Sequence, residues 1–388
     1  MNTKRTLLMT TPYFPPDGGG LENYALEIAC RLSRDYDWRI VIVTSGEKRG
    51  KNQEEEKMGM KIYRLSYDLR FSNTPFALMW PLELSRILKK EKPDIINIHT
   101  PVPGVGDIVS FLARKTPQVV TYHTGSMRKG NFLLDLFIGA YESTALRFML
   151  ERSNFLICSS DFVHFGFLKK YISKSITITP GVDADNFIPF PTKKAEDPTV
   201  LFVAGIGISQ RYKGLGTLLK AMKILQKDFP HIRLLVVGDG DMRNDYEKYV
   251  QENDLLENVI FKGKLTGELL RSVYQEAHLF SLPTSNDSYP LVILEAMSSG
   301  LPVVSTRVGG IPQMVEEGKE GFLIEPNNPT ELARKISELI NNPKLALNFS
   351  VRARRKALNE FSWSVRLEKY NQVLEKAFFE KTDAKRHF

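Results

Sequence analysis

Cysteine is almost missing from this chain. Its 388 residues carry two, Cys30 and Cys158, far apart and each in an apolar setting. That excludes a disulfide framework and fits buried free thiols in a reducing compartment. Long apolar runs are missing as well. The best candidate for a membrane span, Asn131–Tyr141, contains Asp135 and is too short to cross a bilayer. Near the N-terminus, Leu7-Leu-Met9 is a strand-length run rather than the apolar region of a signal peptide. A cytoplasmic protein is expected. The basic cluster Arg352-Ala-Arg-Arg-Lys356 has no interleaved aromatic residues and so lacks a stacking surface for bases. No nucleic-acid partner is expected. There is no Gly-x-Gly-x-x-Gly fingerprint, which argues against simple NAD binding, and no short-period repeat. No third ligand at suitable spacing accompanies His99 and His123, so no metal is expected, and no other cofactor is called for.

Positive charge is present in excess, with a formal net charge of +8. Scattered solvated lysines account for such a balance. So does attraction to anionic nucleotide sugars or to anionic lipid headgroups. An anionic membrane surface therefore stays open as a partner, with peripheral attachment at the inner face of the membrane.

The length suits two domains, each with its own core. Short apolar, β-branched runs alternate with helical patterns from end to end. In the first half they fall near Thr6–Thr11, Arg39–Thr44, Lys61–Leu65, Ile95–His99, Val119–His123, Phe155–Ser159 and Ile176–Thr179. In the second they fall near Val200–Ala204, Arg233–Val237, Val259–Lys262, Leu279–Leu282, Val303–Ser305 and Gly321–Ile324. Runs of this kind predict parallel strands buried on both faces, in two doubly wound α/β sheets. The stretch 183–198 is rich in Pro, Asp and Lys and without periodicity, and reads as a linker. The expected domains are 1–182 and 199–361, followed by an amphipathic helix within 362–388.

The most informative stretch is Thr284–Val304. A turn rich in Ser, Asn, Asp and Pro follows a strand and leads into a helix, and Gly300-Leu-Pro302 then leads into the next strand. Asp287 lies at the turn, and Glu295 is expected two helical turns further on, with seven residues between them. That separation is too large for a shared-proton dyad. It suits two carboxylates gripping hydroxyls on either side of a bound diphosphate. Free N–H groups at the helix start, around Tyr289–Val292, can hold a phosphate.

Other motifs point the same way. Phe14–Glu22 follows the first strand, and its Gly19 and Gly20 let backbone N–H groups approach a phosphate or sugar. His99 and His123 each end a strand, where open α/β sheets bind ligands. Gln210–Leu219 contains Lys213 in a Lys-Gly loop, with Arg211 beside it. Lys213 suits a diphosphate as a point charge.

Taken in order, these motifs resemble those of the retaining GT-B glycosyltransferases with two acids spaced by seven residues. This is glycosyltransferase group 1, family 4, which includes phosphatidylinositol mannosyltransferases and enzymes like sucrose and glycogen synthases. The resemblance covers nearly the whole chain. It departs at Asp287, where Glu is usual, and at Ile206, where an Arg is usual. It implies the GT-B fold, with two Rossmann-like domains facing a central cleft and the C-terminal helix crossing back onto the first. It implies a metal-independent, retaining transfer of a hexose-type sugar from a nucleoside diphosphate sugar to a hydroxyl of a saccharide or lipid acceptor. It implies catalytic roles for Asp287, His123 and Lys213. Donor contacts are implied for Gly19, Gly20, Arg211, Lys213, Lys264, Asp287, Pro290, Leu291, Val292 and Glu295, with Lys264 in the segment that meets the nucleobase. A sugar-nucleotide epimerase on the same fold and a non-catalytic nucleotide-sugar or polysaccharide binding protein are the competing readings.

Overall fold

A computed structural model describes residues 4–15, 20–71, 74–124, 127 and 132–386. Gly19 lies outside the described residues. The chain forms two units, Met1–Thr179 with Leu367–Phe388, and Pro180–Arg366.

The first unit is built on β1 (Arg5–Thr11), β2 (Trp38–Lys48), β3 (Gln53–Lys57), β4 (Met60–Tyr67), β5 (Leu69–Phe71), β6 (Thr74–Phe76), β7 (Ile95–Thr100), β8 (Gln118–Tyr122), β9 (Phe155–Cys158) and β10 (Ser175–Thr177). Eight of these form one sheet in the order β10-β9-β8-β7-β1-β2-β4-β3, parallel except at β3–β4. The chain winds from β1 toward β4, then returns beside β1 as β7 and winds the other way. The β1/β7 boundary is thus a topological switch point.

Apolar patterning did not mark β3, whose sequence Gln-Glu-Glu-Glu-Lys has no apolar residue. It is an edge strand reached through a two-residue turn in which Met58 (φ 52°) and Gly59 (φ 72°) are both left-handed. Its acids pair with cations on neighbouring elements, Glu55 with Arg64 and Glu54 with Lys61 and Lys90. The short β5–β6 hairpin was likewise not expected.

The last helix, Trp363–Arg386, lies within the stretch 362–388 read as an amphipathic helix. Leu367, Tyr370, Leu374 and Ala377 are buried at spacings of three and four. Arg5 grips Glu375 with both terminal nitrogens at 2.7 and 2.5 Å. Trp38 Nε1 donates to Asn371 at 2.7 Å.

The second unit is built on β11 (Thr199–Val203), β12 (Arg233–Val237), β13 (Val259–Gly263), β14 (Leu279–Leu282), β15 (Val303–Thr306) and β16 (Gly321–Ile324). All are parallel, in the order β13-β12-β11-β14-β15-β16, and the switch point is between β11 and β14. Residues 183–198, read from composition as a linker, fall inside this unit. Arg354 fastens them, because one guanidinium nitrogen donates to the carbonyls of Ala184, Phe187 and Ser298 at 2.7–3.0 Å. One of the cations in the basic cluster is thus a backbone staple rather than a solvated charge.

Candidate donor-binding site and its relatives

The loops after β11, β14 and β15 interlock at the switch point of the second sheet. The β11 loop ends in a short helical turn, Ile208–Lys213, followed by Gly214. Gly214 has φ +86°, and a Cβ there would fall 2.0 Å from the Pro283 carbonyl oxygen, so only glycine permits this approach. Tyr212 O accepts from Ser285 N at 2.8 Å and from Thr284 Oγ1 at 3.0 Å. From the far side, Gly309 (φ +52°) presses on Asp287, where a Cβ would meet the Asp287 carbonyl oxygen at 1.7 Å. The Val308–Pro312 turn therefore clamps the loop that carries the first acid.

These contacts bring Lys213 and Asp287 together. Lys213 Nζ lies 2.5 Å from Asp287 Oδ2, with the two side chains 21% and 10% exposed. The sequence placed both at the site but gave no sign that they pair. Arg211, on the same turn, is exposed and has no carboxylate partner among the described residues. Lys264 follows the edge strand β13. Three inter-strand steps separate β13 from β14, about 14 Å at normal spacing.

The helix after Asp287 begins at Leu291 and runs to Ser298. Residues 287–290 are not helical, which corrects the expectation that Glu295 stands two helical turns beyond Asp287. The reason is Pro290, which takes the N-cap position in an extended conformation, φ −75° and ψ 105°, and whose ring disfavours helical backbone at the residue before it. No side chain caps this helix, so its first turn, with Leu291 and Val292, offers N–H groups and the positive end of the helix dipole. Glu295 is the fifth helical residue. Its Oε2 accepts from Tyr274 OH at 2.7 Å. Burial pushes the Glu295 carboxyl above its usual range, and the Tyr274 hydroxyl opposes that. Sequence reading missed Tyr274, which looks like any core aromatic on the helix Gly267–Glu276.

In the first unit, His99 and His123 stand at the ends of β7 and β8. His99 Nδ1 and His123 Nε2 are 3.0 Å apart. Burial drives both imidazoles toward the neutral form, His99 well below the usual histidine range and His123 down to about 3. Gly20 is the first residue of the helix Gly20–Asp35.

Three Asp-x-Asp triplets occur away from Asp287, the first being Asp35-Tyr-Asp37, where Asp35 accepts from Arg34 Nε at 2.6 Å. In Asp239-Gly-Asp241 the carboxylates accept from Gly240 N and Ile208 N at 2.9 and 2.7 Å. In Asp183-Ala-Asp185, Asp183 accepts from Asn186 at 2.8 Å. No group of three or more His, Cys, Asp or Glu among the described residues is placed to hold a metal ion.

Two family profiles match the chain in succession: Glycosyltransferase Family 4 over residues 18–186 and Glycosyl transferases group 1 over residues 183–356. The chain is 30% identical over 305 residues to a D-inositol 3-phosphate glycosyltransferase of Corynebacterium jeikeium, covering 73% of this chain and 72% of that one. It is 24% identical over 361 residues to the phosphatidyl-myo-inositol mannosyltransferase of Mycolicibacterium smegmatis, covering 92% and 90%. Among solved structures, HepE of Anabaena in complex with UDP superposes with a TM-score of 0.72 at 18% identity, covering 96% of this chain and all of that one.

Proposed function

The chain belongs to the group 1 glycosyltransferases, enzymes of the GT-B class that use nucleotide sugar donors, and we propose that it moves a hexose-type sugar to an acceptor hydroxyl with retention and without a metal. The observation that carries this reading is the Lys213–Asp287 pair beside the uncapped helix Leu291–Ser298. It puts a cation, an acceptor of hydroxyl hydrogen bonds and an anion-binding helix end at one switch point.

In this mechanism Lys213 and the N–H groups of Leu291 and Val292 stabilise the departing diphosphate, with Arg211 as a second cation. Charge stabilisation of this kind is usually the largest catalytic contribution. Asp287 accepts from hydroxyls of the donor sugar. Glu295, oriented by Tyr274, accepts from the ribose hydroxyls. Lys264 borders the nucleobase, and, as the family resemblance implies, Gly20 and His123 meet the sugar. The acceptor attacks on the face of the leaving group, and a phosphate oxygen takes its proton.

A lipid or lipid-like acceptor is supported by the helix Phe132–Tyr141, where Phe132, Leu136 and Phe137 are 82%, 62% and 68% exposed. Exposed apolar residues on one helix are candidates for contact with an acyl chain or an anionic membrane surface. None of the described helices is long and apolar enough to cross a membrane.

A thermal-shift screen against UDP, GDP and ADP sugars, followed by donor turnover with and without inositol phosphate or phosphatidylinositol, tests the reading. A donor raises the melting temperature by mass action, and sugar appears on the acceptor. Donor conversion that needs no acceptor would replace the transferase by an epimerase.

A further inference from the structure

We propose that His99 is a positioning residue that fixes the tautomer of His123, so that His123 presents an N–H at Nδ1 and serves as a hydrogen-bond donor. This rests on the reading of His123 as a residue that lines the donor sugar.

The two rings are tilted by only 22°, with centroids 5.2 Å apart. The 3.0 Å between His99 Nδ1 and His123 Nε2 takes up most of that centroid separation. The nitrogens therefore point at each other edge to edge and share one proton. Tyr24 closes the pair from the side, its ring 5.3 Å from that of His123 in an edge-on arrangement and 6.2 Å from that of His99. The backbone of His123 is also fixed, because its N–H donates to Thr100 O at 3.2 Å and its carbonyl accepts from Ser159 Oγ at 3.0 Å. Ring rotation is what remains, and the N···N bond sets it.

Which ring donates follows from the other nitrogen of His99. His99 is 2% exposed, and its Nε2 is buried without a hydrogen-bond partner among the described residues. A neutral imidazole has one N–H and one bare nitrogen. If His123 donated, the N–H of His99 would sit at Nε2, buried and unpaired. Orphaned buried N–H groups are the rarer defect, and burying one costs its full desolvation. The favoured arrangement has His99 Nδ1–H donating to His123 Nε2 and leaves only a lone pair unsatisfied. His123 then carries its proton on Nδ1, which makes no hydrogen bond among the described residues. In that state His123 can donate to a sugar oxygen and cannot take a proton from the acceptor.

Long-range proton–nitrogen correlation on histidine-labelled protein reads the tautomer directly, with His123→Gln used for assignment. The expected result is a protonated Nδ1 and a bare Nε2 on His123. A protonated Nε2 overturns the proposal. The functional arm compares His99→Gln, whose side-chain amide can still donate toward His123 Nε2, with His99→Leu, which cannot. Sugar transfer is expected within about threefold of wild type for Gln and at least tenfold lower in kcat for Leu, with the donor KM little changed. Equal losses that follow the melting temperatures of the two variants would leave His99 a purely structural residue and sink the proposal. If the tautomer is as stated but His123→Gln transfers sugar at the wild-type rate, the role given to His123 fails, and the positioning role of His99 with it.

Discussion

Lys213 Nζ stands 2.5 Å from Asp287 Oδ2, and the two residues come from loops that follow neighbouring strands, β11 and β14. The backbone contact of Gly214 with Pro283 and that of Gly309 with Asp287 hold the pair from both sides. A cation and an anion held this closely neutralise one another until a ligand divides them. In the proposed mechanism the diphosphate draws on Lys213 while the sugar hydroxyls draw on Asp287.

If the pair works as one unit, its losses will not add. Lys213→Ala is expected to lower the transfer rate by about 100-fold, the scale for removing one stabiliser of developing charge. Asp287→Asn is expected to fall by a similar factor, and the double variant little further. Turnover measured beside melting curves of all three variants checks this. Multiplying losses would mean that the two residues act separately.

Glu295→Ala should weaken nucleoside diphosphate binding by about 1.5–3 kcal/mol, the value of hydrogen bonds to a charged acceptor. Calorimetry with the free diphosphate reads it. Tyr274→Phe removes the hydroxyl that opposes the burial-driven rise in the Glu295 pKa. The carboxylate then protonates at higher pH, so the acid limb of nucleotide binding should move upward in that variant. An unmoved limb would count against Glu295 as the titrating group.

Turnover should survive EDTA, and the fresh product should keep the anomeric configuration of the donor. Proton NMR of the product shows the anomer. Inversion, or complete loss of activity in EDTA, would make a bound cation the main stabiliser of the leaving group in place of Lys213 and the helix N-terminus.

Glu91 gives a stability signature in the first unit that is independent of the site. Burial alone would raise its pKa, but hydrogen bonds from Tyr63, Arg39 and Lys61 bring it down to about 2. A carboxylate with a depressed folded-state pKa contributes stability that is complete above its unfolded value and is lost as pH falls toward the folded one. Urea denaturation should therefore show falling stability from about pH 5 toward pH 2, with Glu91 accounting for at most about 3 kcal/mol of it. In Glu91→Gln the protein should be weaker at pH 7 and that part of the slope should disappear.

The sequence by itself determined the two mainly parallel sheets, since buried parallel strands are largely apolar runs and most strands of the second sheet are built around one. It also determined the chemistry of the strand-end loops, where Asp287, Lys213, Glu295 and the two histidines stand out as polar groups beside apolar runs. Only the tertiary structure decided which of these groups meet. Lys213 and Asp287 are 74 positions apart, Glu295 and Tyr274 are 21 apart, and His99 and His123 are 24 apart. Local patterning encodes helix and strand because neighbouring residues share a face at a fixed period. Partners at those distances are set by strand order and loop packing, which no local period records. The same reason hid β3, whose place comes from its ladder with β4 and its ion pairs, and hid the anchoring of residues 183–198 by Arg354.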